Sequence, residues 1–446
     1  MAASPQPDGD NRPNNVTRRW LKRVAGSLAL IAIGVAVAFV AGEIGVRILR
    51  LSAPNFYTYD AYRGWAMSAG AQGWQRQEGN AFISVNQDGF RGPDYPYAKP
   101  DDVLRIAVLG DSFTEAQQVP YDETFCAVMR RELSALCPLK TASASDRTHT
   151  YDKVEVLDFG CDGYGTAQEL ITLRRKVWKY SPDIVVLAVF TGNDIRNNSV
   201  VLEGDKCRPF YVYRDGKLQL GGPFDDSWRF RMGCFMRFES RHSQLLNRLG
   251  DARSYIRTRV RGYFARHKVR KKPAGAEVGL NNLIYRPPAT SVWVDAWRVT
   301  DAEIAMVNTN VRRHYASFLA VTLANGIQDD PNAGKRARFM RWLGITSLNY
   351  PDNQIKELGA RDGFPVLNLA PPMQAYAQAH HQYLHGFANT RPGIGHWNAV
   401  GHRVAGKLIA ARLARMLTTG TIAPATSSAS QPAAPSLAPA SRQWGS

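Results

Sequence analysis

The stretch Leu104–Gln117 (LRIAVLGDSFTEAQ) does most to limit what this chain can fold into. A short apolar run, Ile106–Leu109, predicts a buried strand. Gly110 breaks it, Asp111 and Ser112 follow, and a helical pattern begins at once. The same order of events recurs twice. Val154–Phe159 predicts a second strand, ending in Gly160-Cys161-Asp162-Gly163-Tyr164-Gly165-Thr166 before a helix from about Ala167 to Tyr180. Ile184–Phe190, apolar throughout, predicts a third strand covered on both faces, ending in Thr191-Gly192-Asn193-Asp194. Three strand–loop units with helices between them predict an α/β fold, a doubly wound parallel sheet. Further on, helices are expected at about Thr300–Leu323, Lys335–Leu343 and around Gln354–Leu358. A late strand is expected at Phe364–Leu369 and a last helix at about Val400–Leu417.

The chain has 446 residues, enough for one large core or two smaller ones. Its formal charge of +18 is unevenly placed. Val201–Thr300 holds 20 Lys or Arg against 9 Asp or Glu, an excess of 11. This segment interrupts the α/β rhythm and reads as a cap-like insertion over the strand ends, with a basic stretch at Arg253–Lys272. Such a surface suits anionic lipid headgroups or an anionic polysaccharide. Nucleic acid is set aside, because no nucleic-acid motif accompanies the charge.

The N-terminus fixes the expected compartment. Met1–Arg23 reads as a polar cytoplasmic tail that ends in Arg18, Arg19, Lys22 and Arg23. Val24–Gly42 is uncharged and close to bilayer-spanning length. It reads as an uncleaved transmembrane anchor, the alternative being a signal peptide. Positive charge before the span places the N-terminus in the cytoplasm and the rest outside the bacterial inner membrane, in the periplasm. Leu51–Pro100 is an N-terminal extension of short strands and loops. Asp101–Leu417 is the main domain around the insertion, and Thr418–Ser446 is an Ala/Pro/Ser-rich tail. Of five cysteines, Cys126 and Cys137 are expected on one helix face, too far apart to bond. Cys207 and Cys234 are the plausible pair.

In a parallel sheet the three strand ends share one edge, where open α/β sheets bind their ligands. A serine nucleophile there needs a base to take its proton and donors aimed at the developing oxyanion. Ser112 is the candidate nucleophile. The Ser112 and Gly163 backbone N–H groups and the Asn193 side chain are candidate oxyanion donors. His396, in a loop just before the last helix, is the candidate base. His402 is expected to pack or cap, and Asp111 and Asp194 to shape their turns. His380, His381 and His385 have no carboxylate or cysteine at ligand spacing, so no metal and no cofactor is expected.

These blocks resemble the SGNH (GDSL-type) hydrolases, and in their longer phrases a membrane-anchored bacterial branch of that family. Ser112 stands in GDS, Gly163 in GCDGYG, Asn193 in GND and His396 in GHWN, in the family's order. The resemblance spans about Asp101–Leu417 without the insertion. It implies a flavodoxin-like three-layer α/β/α sandwich and a serine esterase or acyltransferase. One departure stands out. The family's Asp three residues before the histidine is Gly393 here, so a backbone carbonyl or a carboxylate from elsewhere must orient His396. The resemblance implies an esterase acting on acyl groups of an extracytoplasmic carbohydrate or lipid through a Ser112–His396 dyad. The rivals are an O-acetyltransferase modifying a cell-envelope polysaccharide and a non-catalytic envelope-binding or assembly protein.

Overall fold

Alternation along the first core strand shows how the sheet is covered. In Val103–Gly110, the residues Leu104, Ile106 and Val108 enter one hydrophobic cluster, while Ala107 and Leu109 enter another on the opposite face. Every residue of this strand is buried. A strand with both faces covered by helices needs apolar side chains on both, which is why its sequence lacks polar alternation.

The computed structural model describes residues 15–49, 55–141, 149–221 and 280–420, with scattered positions between 228 and 256. Residues 1–14, residues 142–148, Cys234, nearly all of the basic stretch Arg253–Lys272, and residues 421–446 lie outside the described residues. The expected Cys207–Cys234 pair therefore lies outside them too.

The chain divides into two compact units, Met1–Asn55 with Met232–Arg270, and Phe56–Arg231 with Lys271–Ser446. In the first, one helix spans Asn15–Ile48. Its portion Arg19–Ile48 is long and apolar enough to cross a membrane. Near its end the Glu43 carboxylate accepts hydrogen bonds from the Ser243 hydroxyl (2.8 Å) and the N–H groups of Gln244 (3.0 Å) and Leu245 (2.9 Å).

The second unit opens with two small hairpins. Strands β1 (Tyr57–Asp60) and β2 (Gly64–Met67) pair antiparallel, as do β3 (Gln72–Gln75) and β4 (Ala81–Ser84). The central sheet uses β5 (Val103–Gly110), β8 (Lys153–Gly160), β9 (Ile184–Val189), β12 (Ser317–Thr322) and β13 (Val366–Asn368). Short pairs β6 (Leu139–Lys140) with β7 (Thr150–Tyr151), and β10 (Tyr211–Arg214) with β11 (Lys217–Leu220), lie between these in sequence. The sheet order is β13-β12-β9-β5-β8, all parallel. Numbered along the chain this is 2-1-3-4-5, the flavodoxin-like doubly wound order, whose switch point lies between β5 and β9. Helices Phe125–Ser134 and Ala399–Thr418 pack on one face, and Thr166–Arg175 and Ser291–Arg313 on the other. The expected three-layer sandwich is the observed one.

Two expectations are corrected. The helix expected at Thr300–Leu323 is a helix at Ser291–Arg313 followed by strand β12. Thr290 caps the helix, and the chain reverses at Tyr315, whose φ is +57°. Phe318 and Ala320 face one cluster, Leu319 and Val321 the other. A short apolar run of this kind fits a buried helix or a buried strand equally well, so periodicity alone misplaced it. Cys137 lies beyond the helix Phe125–Ser134 that carries Cys126, and the two thiols are unbonded.

Candidate active site

Ser112 is the first residue of a single helical turn, Ser112–Glu115, set directly on the end of β5. Asp111 caps it, its carboxylate accepting from the Phe113 N–H at 2.9 Å. Burial pushes the Asp111 carboxyl above its ordinary pKa, opposed by that N–H, by His396 and by the Asn193 side chain. Ser112 itself is buried, with its hydroxyl donating to Nε2 of His396 at 2.8 Å.

His396 comes from the loop before the last helix. That loop is tied down at several points. The Gly386 N–H donates to the His396 carbonyl (3.0 Å), Gly393 N–H to the His385 carbonyl (2.8 Å), and Asn398 N–H to the Leu384 carbonyl (2.9 Å). Nδ1 of His385 bonds the Gly395 carbonyl at 2.7 Å, while its Nε2 lies 3.2 Å from the Asp329 carboxylate. Trp397 is fully buried next door. Asn398 then caps the helix Ala399–Thr418 through Val400 (3.0 Å) and Gly401 (3.1 Å). The histidine thus sits on a braced segment, with its ring against Phe113 at 4.9 Å.

The second nitrogen of His396 has an ionic partner that the motifs do not contain. Nδ1 lies 2.6 Å from Oε2 of Glu78, and the His396 backbone N–H donates to Oε1 of the same carboxylate at 2.8 Å. A carboxylate only accepts, so Nδ1 carries the proton and Nε2 is left to accept from Ser112. Burial works to lower the His396 pKa, but the hydrogen bond and charge of Glu78 outweigh it and the net shift is upward. Burial likewise works to raise Glu78, and His396 outweighs it, holding the carboxyl below its ordinary value.

Glu78 stands in the turn between β3 and β4, within the N-terminal extension. One glycine makes room for its carboxylate, and a second lets its turn approach a neighbouring carbonyl. Gly395 has φ +89°, and a Cβ there would meet Oε1 of Glu78 at 2.0 Å. Gly79 has φ +73°, and a Cβ there would meet the Gln118 carbonyl at 2.1 Å. At Gly393, where the resembling family carries its Asp, φ is +75° and the space is taken by the Tyr383 ring. The orienting group is therefore a carboxylate from elsewhere in the chain. No local signal marked Glu78, since the only hint is a Glu-Gly turn in a segment without periodicity.

The remaining expected donors flank Ser112 on the adjacent strands. β5 pairs in register with β8, Gly110 opposite Gly160, and with β9, Leu109 opposite Leu187. The chain leaving β8 turns at Gly163, with φ +72°. Its carbonyl accepts from Arg208 Nη2 at 2.6 Å, and the Asp162 carbonyl accepts from the Trp65 indole at 2.9 Å. The chain leaving β9 reaches Asn193, the N-cap of Asp194–Asn197. Its side-chain oxygen is buried without a hydrogen-bond partner among the described residues. Asp194 accepts from the Phe190 N–H at 2.7 Å, closing that turn. Ser112 and His396 are hydrogen-bonded to one another, whereas Gly163 and Asn193 share the sheet edge without a bond to either among the described residues.

Other singled-out residues sit apart. His402 is buried, accepts from the Phe125 N–H at 3.3 Å, and burial lowers its pKa to about 3. Cys161 is buried and its thiol is pushed well up, chiefly by burial, which suits packing rather than nucleophilic chemistry. His380 and His381 are exposed. Among the described residues no group of three His, Cys, Asp or Glu is placed to hold a metal ion.

No family model matches the chain, and no curated protein matches it. Among solved structures it is similar to the acetyl xylan esterase AlAXEase, at 11% identity over 70% of this chain and 100% of that one, with a TM-score of 0.35. It is similar to the lipase/acylhydrolase from Enterococcus faecalis, at 13% identity over 70% and 97%, TM-score 0.33. It is also similar to a catalytic mutant of Axe2, an acetylxylan esterase from Geobacillus stearothermophilus, at 9% identity over 69% and 92%, TM-score 0.34. By its own strand order and connections, the chain has the flavodoxin-like three-layer fold that its resemblance to the SGNH (GDSL-type) hydrolases implies.

Proposed function

We propose that this chain is a serine esterase of the SGNH type. It acts on acyl esters of a carbohydrate or lipid outside the cytoplasm, held at a membrane by its N-terminal helix. One observation carries the reading: His396 bonds the Ser112 hydroxyl through Nε2 and the Glu78 carboxylate through Nδ1. A serine hydroxyl is a weak nucleophile until a base takes its proton, and this relay supplies the base in the right tautomer.

In the first half-reaction Ser112 Oγ adds to the ester carbonyl while His396 Nε2 takes the hydroxyl proton. Glu78 stabilises the imidazolium that forms. The Ser112 and Gly163 N–H groups and the Asn193 amide hold the oxyanion, such donors being worth about 3 kcal/mol each in related chemistry. The tetrahedral intermediate then expels the alcohol, to which His396 returns the proton, leaving an acyl-serine. In the second half-reaction water adds to the acyl-serine by the same relay and frees the carboxylic acid and Ser112. A sugar hydroxyl in place of water turns the same chemistry into acyl transfer.

The test uses the full chain in detergent with an aryl acetate, with and without added oligosaccharide. Release of acetate in both conditions supports the esterase. Acetylated sugar in place of acetate favours transfer, and no turnover in either condition refutes both.

A further inference from the structure

The β3–β4 hairpin that carries Glu78 is not part of the central sheet, and each strand is four residues long. A two-stranded hairpin of this size is marginally stable by itself. The hairpin is anchored along β4, because Ala81 and Ile83 are buried in a cluster with Trp65 and Tyr164. Its tip, Arg76–Asn80, is mostly exposed and has no apolar anchor of that kind. Asn389, seven residues before His396, engages that tip with its whole amide. Nδ2 donates to the carbonyls of Arg76 (3.0 Å) and Gly79 (2.9 Å), and Oδ1 accepts from the Gly79 N–H (3.0 Å). The two backbone carbonyls therefore bracket Glu78, and one asparagine binds them both. Asn389 itself sits in a turn closed by Phe387 and Thr390, where the Thr390 hydroxyl oxygen accepts from the Phe387 N–H at 2.9 Å and the Thr390 N–H donates to the Phe387 carbonyl at 3.0 Å.

We infer that Asn389 is a positioning residue, a latch that joins the hairpin tip to the histidine loop and so brings the Glu78 carboxylate to His396. The acid of the relay then depends on the docking of a separate hairpin, and the latch is carried by the loop that presents the base. A carboxylate in place of the amide keeps the acceptor for Gly79 N–H but faces two carbonyl oxygens with no donor. Asn389→Asp is accordingly expected to fail as Asn389→Ala does, although it fills the same space.

The inference rests on the proposed ester chemistry for its kinetic readout and on geometry alone for its spectroscopic one. With an aryl acetate, Asn389→Ala and Asn389→Asp are expected to lower kcat about 100-fold with KM little changed. Either change added to Glu78→Gln is expected to cost little more, because both remove one interaction. Ring-¹⁵N histidine titration, with the His396 signal assigned by its loss in His396→Asn, supplies the second readout. The His396 midpoint is expected to fall in Asn389→Ala toward its value in Glu78→Gln. A His396 midpoint and kcat unchanged by Asn389→Ala, or a loss that adds fully to that of Glu78→Gln, overturns the latch. If the wild type lacks esterase activity, the proposed function falls while the His396 titration still decides the latch.

Discussion

Glu78 and His396, 318 positions apart in sequence, are joined by two hydrogen bonds to one carboxylate, 2.6 Å from the ring and 2.8 Å from the backbone. The bidentate contact fixes the ring's tautomer and the position of its peptide together. Both follow from a turn in the N-terminal extension rather than from the loop that presents the histidine.

Glu78→Gln keeps the shape of this contact and removes the charge. It is expected to lower kcat by about 10⁴-fold, the loss seen when the acid of such a relay is neutralised. The pH profile adds a sign. His396 must be neutral to act as a base, and Glu78 raises its pKa, so the wild-type acid limb lies above the ordinary histidine value of 6.5. In Glu78→Gln that limb is expected to move to lower pH while the plateau drops. Measured kcat/KM against pH for both proteins checks it, and an acid limb that stays in place contradicts it.

Gly395→Ala tests the room left for the carboxylate. The new Cβ would stand 2.0 Å from Oε1 of Glu78, on backbone with φ +89°. A displacement of about 1 Å at the relay is expected to cost about 100-fold in kcat. Thermal unfolding measured alongside separates this from a general loss of fold.

Restoring an Asp at Gly393 is expected not to rescue Glu78→Gln. A Cβ there would meet the Tyr383 ring at 2.9 Å and the Asp330 carboxylate at 3.2 Å, with φ +75°. The added charge would lie beside another carboxylate. Recovery of kcat in Glu78→Gln/Gly393→Asp would show that the loop can still use the family's position.

His402 makes a prediction about stability alone. Burial lowers its folded pKa to about 3, while the unfolded chain takes up its proton below about 6.5. Stability therefore falls as pH drops from about 6.5 toward 3, by about 2 kcal/mol by pH 5. Denaturant unfolding at pH 7 and pH 5 is expected to show a shallower loss in His402→Leu than in the wild type. Equal slopes contradict it.

Much of this was readable from residue order because it is local. Ser112, Gly163 and Asn193 each stand where an apolar run stops at a glycine or a turn, and such stops mark the working edge of a parallel sheet. His396 was readable from its place before a helix and from the Gly-His-Trp-Asn block. Glu78 was not, because its partner comes from a hairpin tip whose sequence has neither periodicity nor a motif. Asn389 was hidden for the same reason, since its bonds go to backbone atoms of that tip. The strand Ser317–Thr322 was misread for a different reason: a short apolar stretch takes its structure from the sheet it joins.

The central claim is that Ser112 is a nucleophile activated by His396. The most direct measurement treats the full chain with a fluorophosphonate serine label and an aryl acetate, wild type against Ser112→Ala. The account predicts that the wild type takes up one label per chain and releases the phenol, and that Ser112→Ala does neither. A wild type that stays unlabelled and inactive, or a Ser112→Ala protein that keeps both properties, would contradict it.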